Sequence, residues 1–466
     1  MSQIQLSVNL PVSAKNAFEW HSRLGAFTRL LPPWERLRMI QAPSSLESGQ
    51  VARFAVRLAP LVWRQWVAEH FNYEPPRSFS DRQISGPFRA WTHEHRFQGT
   101  RDEKSILTDA IEYSAPCNGI SLGLANRIAA KKIAAMFRYR HHVTRNDLAF
   151  HAKYESQPRL RVAITGASGL LGRQLAAFLT TGGHDVTEIV RRPTNSPNQL
   201  YWDPCKREIE RDKLEGHDAV IHLAGENIAA RRWTRKQMQR IADSRVEGTK
   251  FLSEELAKLN RPPATFISAS AIGFYGDTGN IMVTEDSPSD DGRSFLGSTA
   301  IKWEAATKPA SDQGIRVVHS RFSMILTTAG GALASMQTPF RLGAGGPIGN
   351  GRQHWSWVSL HDAVQALTHV LYHPEISGPV NITAPHPETN HNFTKTLGRV
   401  LRRPAFLPLP AVAARLMLGK MANELLLCSC AVIPTVLQKS GYVFREPHLN
   451  TCLQNALGRP LTHRHP

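Results

Sequence analysis

Hydrophobic residues recur along this chain with two different periods, and the change from one to the other marks its main division. Near the start, Ile4, Leu6 and Val8 alternate with polar residues, the signature of a half-buried strand. Val51 to Leu58, Trp63 to Phe71, Thr92 to Gln98 and Ser105 to Tyr113 repeat that alternation between turns, and the segment from about Ile120 to His142 reads as a long closing helix. The pattern predicts an antiparallel α+β unit over residues 1–150. The polar stretch His151 to Arg159, with Pro158, reads as a linker.

Beyond it the rhythm becomes strand, helix, strand. Val162 to Ile164, Asp185 to Val190, Ala219 to Leu223, Thr265 to Ser268 and Arg316 to His319 read as buried strands. Helices are expected at Leu170 to Thr181, about Arg235 to Leu259 and about Phe295 to Ser311. Such a succession predicts an α/β domain over residues 160–377, with a parallel sheet covered on both faces. From Gly378 onward the proline-punctuated run RRPAFLPLPAVAARLMLG and further helices suggest a small capping subdomain over residues 378–466.

Chemistry concentrates at Arg161 to Gly172, RVAITGASGLLG, where an apolar strand runs into three glycines at three-residue spacing and then into a helix. Gly166, Gly169 and Gly172 allow a sharp turn, close approach to a pyrophosphate, and packing of the helix on the strand. The helix N-terminus faces the anion, so Thr165, Ser168 and Leu170 are expected to line the cofactor with the glycines. The adenosine ribose lies where the second strand ends, and there an NAD site usually carries an acid. This chain has Arg191 and Arg192 instead, and guanidinium groups suit a 2′-phosphate, which favours NADP(H). An ordinary solvated basic pair is the competing reading.

Composition narrows the setting. With 466 residues, 41% of them apolar and 20% charged, the chain has the make-up of a multidomain globular protein. The longest membrane-span candidate, Leu425 to Leu437, is too short and contains Ser429 and Pro434, and the first thirty residues lack signal-peptide features, so a cytoplasmic location is expected. Cys117, Cys205, Cys428, Cys430 and Cys452 have neither a disulfide framework nor zinc spacing, so no metal is expected; Cys428 and Cys430 read as half-buried thiols. The net charge is +18, and the first 157 residues, with 21 Lys+Arg and 13 Asp+Glu, hold +8 of it. Arg127, Lys131, Lys132, Arg138 and Arg140 fall on the long N-terminal helix. They would suit an anionic membrane surface, RNA or an acidic partner, or simply a solvated face; no nucleic-acid module accompanies them, which speaks against nucleic acid.

Further motifs follow the glycine turn: HLAGENIAARRW at His222 to Trp233, SRVEGT at Ser244 to Thr249, SASAIGFYG at Ser268 to Gly276, PFRLGAGGPIGNGRQHWSWV at Pro339 to Val358, and APHPETNHNFTKTLGRVLRRP ending at Pro404. Together they resemble the extended short-chain dehydrogenase/reductases, and among them the epimerase family proteins with a distinctive C-terminal domain. The resemblance implies a Rossmann-type fold in which Leu223, Ala224 and Gly225 line the cofactor and Ser270 hydrogen-bonds the substrate. It also implies a Tyr-x-x-x-Lys pair, but those positions hold Leu296 and Ala300, and neither transfers a proton. Lys302 points to another side of the helix; Tyr275 is the nearest phenol and the candidate replacement acid. Arg321 and the glycine-rich loop Gly343 to Arg352 are candidates to orient a substrate, the loop as a lid. Asp362 is expected to cap a helix, and His354, beside Trp355 and Trp357, to be packed.

The order of elements before residue 150 resembles the SRPBCC or START-like helix-grip fold. That resemblance implies an interior cavity for a small apolar ligand, or else a structural or dimerising module. Extended relatives often dimerise, so a homodimer is among the assemblies the resemblance admits. Two functions are carried forward: an NADP(H)-binding oxidoreductase or nucleotide-sugar-epimerase-like protein acting on a small molecule, and a catalytically silent, cofactor-responsive regulator.

Overall fold

A computed structural model describes residues 1–59, 61–116 and 121–460, so Cys117 and the first expected helical residue, Ile120, lie outside the described residues. The chain forms two compact units, one built on Met1–Pro158 and the other on Arg159–Leu179 and His184–Leu457.

In the first unit β1 (Ser2–Leu10) leads into α1 (Ala14–Ser22) and α2 (Ala26–Leu30). Six strands follow: β2 (Leu37–Gln41), β3 (Val51–Ala59), β4 (Val62–Glu74), β5 (Ser78–Ser85), β6 (Ala90–Gly99) and β7 (Ser105–Ser114). They form one antiparallel sheet in the order β1-β7-β6-β5-β4-β3-β2. Alternation decides the faces: Trp91 and Phe97 on β6 and Leu107, Ile111 and Tyr113 on β7 are buried, while intervening residues are more exposed. The apolar face packs against α3 (Leu122–Lys153) through Ile133 and Phe137.

That helix runs eleven residues beyond the expected end at His142 and takes the first three residues of the expected linker. Val143, Leu148 and Phe150 keep an apolar face buried there, and the Arg29 guanidinium donates to both oxygens of Asp147 at 2.7 and 2.8 Å in the interior. With neither Gly nor Pro between Leu124 and Lys153, nothing local stops the helix. Arg127, Lys131, Lys132 and Arg138 are exposed on it, whereas Arg140 is half-buried, its guanidinium 4.9 Å from the Phe137 ring centre.

The second unit opens with β8 (Arg161–Thr165), α4 (Leu170–Thr181) and β9 (Asp185–Val190). Then come β10 (Gln199–Asp203), β11 (Glu208–Ile209), β12 (Ala219–His222), α5 (Arg235–Leu256) and β13 (Thr265–Ala271). The short β14 (Met282–Val283), α6 (Phe295–Ala305), α7 (Lys308–Asp312) and β15 (Arg316–Phe322) follow. The main sheet has the order β11-β10-β9-β8-β12-β13-β15 and ends in the strand Gly378–Ile382; its pairs are parallel except for β10 with β11. Trp202, Val220, Phe251, Leu252, Phe266 and Val317 form one of its buried cores.

Three expectations are corrected. The helix expected from Phe295 to Ser311 is two helices, because Pro309 has no N–H to continue the ladder and its ring crowds the preceding turn. The strands at Thr265 and Arg316 each run three residues further, paired from Ser268↔His319 to Ala271↔Phe322. The boundary at Gly378 falls inside the sheet: Gly378–Ile382 pairs in parallel with β15, and Phe393, Leu397, Leu449 and Leu453 share one buried cluster with Leu333, Phe340, Trp355 and Trp357. No described helix is long and apolar enough to cross a membrane.

Candidate functional site

At the C-terminal end of β8 the chain turns through Gly166, whose φ of +70° suits glycine. A Cβ on Gly166 would stand 2.9 Å from the Leu223 carbonyl carbon, and one on Gly172 would stand 2.3 Å from the Gly166 oxygen. These two glycines therefore let the turn lie against Leu223 and Ala224 and let α4 lie against the turn. Ser168 and Gly169 are exposed at the mouth, Leu170 opens α4, and the first amides of any helix have no partner within it. The result is a cradle for an anion.

Thr165 has a different place from the one expected. Its fully buried Oγ1 accepts from the Leu223 and Ala224 amides at 3.0 and 3.2 Å and lies 2.7 Å from His222 Nδ1. With two amides already donating to it, its proton is left for the imidazole, which burial keeps neutral by lowering its pKa to about 3. Thr165 thus ties the strand ends flanking the glycine turn and does not line the cradle. Gly225 is exposed beside the half-buried Leu223 and Ala224, and Arg245 braces this loop by donating to the Glu226 carbonyl at 3.0 Å. Arg191 and Arg192 follow β9 directly, the strand next to β8, and both are exposed without a described partner.

A second constellation lies at the same end of the sheet. Parallel register sets Ser270 on β13 opposite Arg321 on β15, and Arg321 opposite Asn381 on the last strand. Ser270 Oγ donates to Glu304 of α6 at 2.6 Å, and Arg321 grips both Glu304 oxygens at 2.8 Å. Arg321 Nη1 also donates to the Tyr275 hydroxyl at 2.9 Å, which donates to Asn381 Oδ1 at 2.8 Å. The Phe274 ring lies 3.5 Å from the guanidinium carbon, and Glu285 accepts from the Asn381, Thr435 and Val436 amides. This chain of contacts is buried: Ser270 is 3%, Tyr275 4% and Arg321 4% exposed.

The expectation for Tyr275 as an acid changes accordingly. Its hydroxyl is held on both sides, and burial pushes its pKa up to about 12, against the opposing pull of Arg321. A phenol so placed braces Arg321 against the last strand and is poorly matched to proton exchange near neutrality. Leu296 packs with Trp233, Ile241 and Met421, Ala300 is buried, and Lys302 is exposed.

The glycine-rich loop is docked, not shaped as a free lid. Ile348 N donates to Asn390 Oδ1, Gly349 N to the Leu409 carbonyl and Leu409 N to the Pro347 carbonyl, at 2.7 to 2.9 Å. A Cβ on Gly346 would stand 2.0 Å from the Leu407 oxygen, so this glycine serves close packing. Gln353 is buried, donating to Ile348 and Leu426 carbonyls, while Asn350 and Arg352 remain exposed. Half-buried His354 pairs through its backbone with Cys430 and Ser429. The N-cap of the helix Leu360–Tyr372 is Ser359, with Asp362 closing a reciprocal pair three residues on. Glu304, Asn381 and Glu285 were passed over in the sequence; the acid near the end of the otherwise largely apolar helix FLGSTAIKWEA was the available signal.

The model of the NAD dependent epimerase/dehydratase family matches residues 162–383, and that of a domain of unknown function, DUF1731, matches residues 409–456. An epimerase family protein of Mycobacterium bovis is 42% identical over 299 residues, covering 64% of this chain and 98% of that protein. The epimerase family protein SDR39U1 of Homo sapiens is 35% identical over 297 residues, covering 63% and 99%. Among solved structures, the nucleoside-diphosphate sugar epimerase from Corynebacterium glutamicum matches with a TM-score of 0.81 and 32% identity over 98% of this chain and 90% of that one. Human SDR39U1 (isoform 2), crystallised with NADPH, matches with a TM-score of 0.58 and 33% identity over 64% and 99%.

Proposed function

The chain belongs to the NAD-dependent epimerase/dehydratase family, and from that premise we propose that it binds NADP(H) and acts as an oxidoreductase or epimerase-like protein on a small-molecule substrate. The cradle carries the cofactor reading: Gly166 and Gly172 let the turn, α4 and the Leu223–Ala224 segment close to backbone contact around it, and Arg191 and Arg192 stand exposed where the 2′-phosphate would lie. The NADPH of human SDR39U1 supports it. When bound, the nicotinamide supplies hydride transfer.

The chain's own residues would then have distinct tasks. Ser168, Gly169, Leu170 and Gly172 hold the pyrophosphate, and Leu223, Ala224 and Gly225 flank the adenosine side. Ser270 presents a hydroxyl at the end of β13, aimed by Glu304, which the fork of Arg321 fixes in turn. Tyr275 positions Arg321. The name of the Corynebacterium relative makes nucleoside-diphosphate sugars the first substrates to try. For the first unit, the seven-stranded antiparallel sheet against a 32-residue helix supports a START-like helix-grip reading.

A second reading rests on one observation: where Tyr and Lys would act, Leu296 and Ala300 are packed apolar residues, so the protein would bind cofactor as a regulator without turnover. A screen of nucleoside-diphosphate sugars, carbonyls and alcohols, followed by nicotinamide absorbance and product analysis, separates the two. The enzyme reading expects turnover with at least one compound, reduced about 100-fold or more in Ser270→Ala. Cofactor binding with no turnover across the panel favours the regulator.

A further inference from the structure

The interior of the first unit holds a cluster of imidazoles and carboxylates that the cofactor chemistry leaves unused. We propose that Asp81, His93 and His95 form a site for a divalent first-row transition ion.

Strand geometry brings the three together. His93 and His95 are two residues apart on β6 and so project from one face, and Asp81 on β5 stands directly across from His93. One potential ligand atom from each lies within 4.8 Å of the other two. Asp81 Oδ1 and His93 Nδ1 are 3.0 Å apart, joined by a proton that an ion would displace to solvent, and the spacing matches the roughly 3 Å between two ligands bound at right angles to one ion at about 2.1 Å.

Neighbouring side chains hold the three groups in place. His93 Nε2 lies 2.8 Å from Asp109 Oδ1, the carboxylate–imidazole partnership that fixes a ligating ring, and Asp109 is held from the other side by His141 of α3 at 2.5 Å. Trp91 Nε1 donates to Asp81 Oδ2 at 3.2 Å, leaving Oδ1 toward His93. Buried His95 Nδ1 lies 2.7 Å from Asp109 Oδ1, so the same carboxylate that backs His93 also holds the second imidazole. Phe79 stacks on His95 at 4.2 Å and Phe137 packs edge-on to His93 at 4.9 Å, an apolar wall around the polar centre.

Two imidazoles and one carboxylate are borderline ligands suited to zinc, iron(II), cobalt(II) or manganese(II), and three protein ligands leave positions open for water or an oxygen donor. The Asp81 side chain is 20% exposed, which gives an ion a route in. The alternative, a self-contained hydrogen-bonded cluster, needs no ion and binds none.

The test uses the full chain, stripped with a chelator and titrated with Co²⁺ while the visible ligand-field bands are recorded, with Zn²⁺ affinity measured by competition against a chromophoric chelator. One equivalent is expected. His95→Gln and Asp81→Asn should each weaken binding by more than about 100-fold, and Asp109→Asn, which acts on His93 from behind, by about 10- to 100-fold. Near-UV circular dichroism identifies variants that keep the fold; if His95→Gln or Asp81→Asn loses it, the Asp109→Asn shift decides. Absence of stoichiometric binding to the parent at micromolar metal overturns the proposal, as does parent-like binding by the folded variants.

Discussion

Gly172→Ala is expected to lose NADPH affinity by at least about 100-fold, equivalent to about 2.7 kcal/mol. The added methyl group would stand 2.3 Å from the Gly166 oxygen, 2.8 Å from its carbonyl carbon and 2.9 Å from Ala167 Cα. All three are backbone atoms, so no side chain can swing aside. Either the turn or the first turn of α4 has to move, and both carry amides proposed to hold the pyrophosphate. The turn is in turn pinned to Leu223 and Ala224, and Thr165 fixes those two residues, which leaves little room for a compensating shift. Isothermal titration of the variant with NADPH checks this, and retention of affinity within a few-fold of the parent would disprove the cradle.

Glu304→Leu is expected to destabilise the second unit by about 3–5 kcal/mol, because it leaves the Arg321 guanidinium buried without its counter-charge. Glu304 and Arg321 are 11% and 4% exposed, so water cannot replace the lost partner. Ser270 would lose its acceptor as well. The combined variant Glu304→Leu with Arg321→Met removes both charges, and it should recover at least about half of the loss. Urea unfolding of the three variants beside the parent measures both quantities. Equal destabilisation by the single and double variants would mean that packing around α6 dominates and the ion pair does not.

The parts of this fold legible from sequence are those whose geometry is decided locally. The strand Arg161–Thr165, the turn at Gly166 and α4 sit within twenty-one residues, and the glycine pattern that permits them is visible directly. The Ser270–Glu304–Arg321 network could not be seen that way, because it depends on the register that sets Ser270 beside Arg321 and Arg321 beside Asn381, residues up to 111 positions apart in sequence. Gly343 to Arg352 misled for a related reason: glycines that let two backbones touch and glycines that let a loop swing have the same spelling. Thr165 shows the same limit on the scale of one side chain, since its position was evident but the two amides that claim its oxygen come from a strand end 58 residues away. The alternating His93 and His95 were readable as a same-face pair; their partners Asp81 and Asp109 become neighbours only through β5 and β7.

On the proposed reading, the glycine cradle and the arginine pair after β9 together select NADP(H). Parallel titrations with NADPH and NADH, followed by nicotinamide fluorescence, test it on the parent and on the variant carrying Arg191→Ala and Arg192→Ala. The parent is expected to prefer NADPH by at least about tenfold, and the variant to lose most of this preference while binding NADH as before. Equal binding of the two cofactors by the parent, or a preference for NADPH unchanged in the variant, would contradict it.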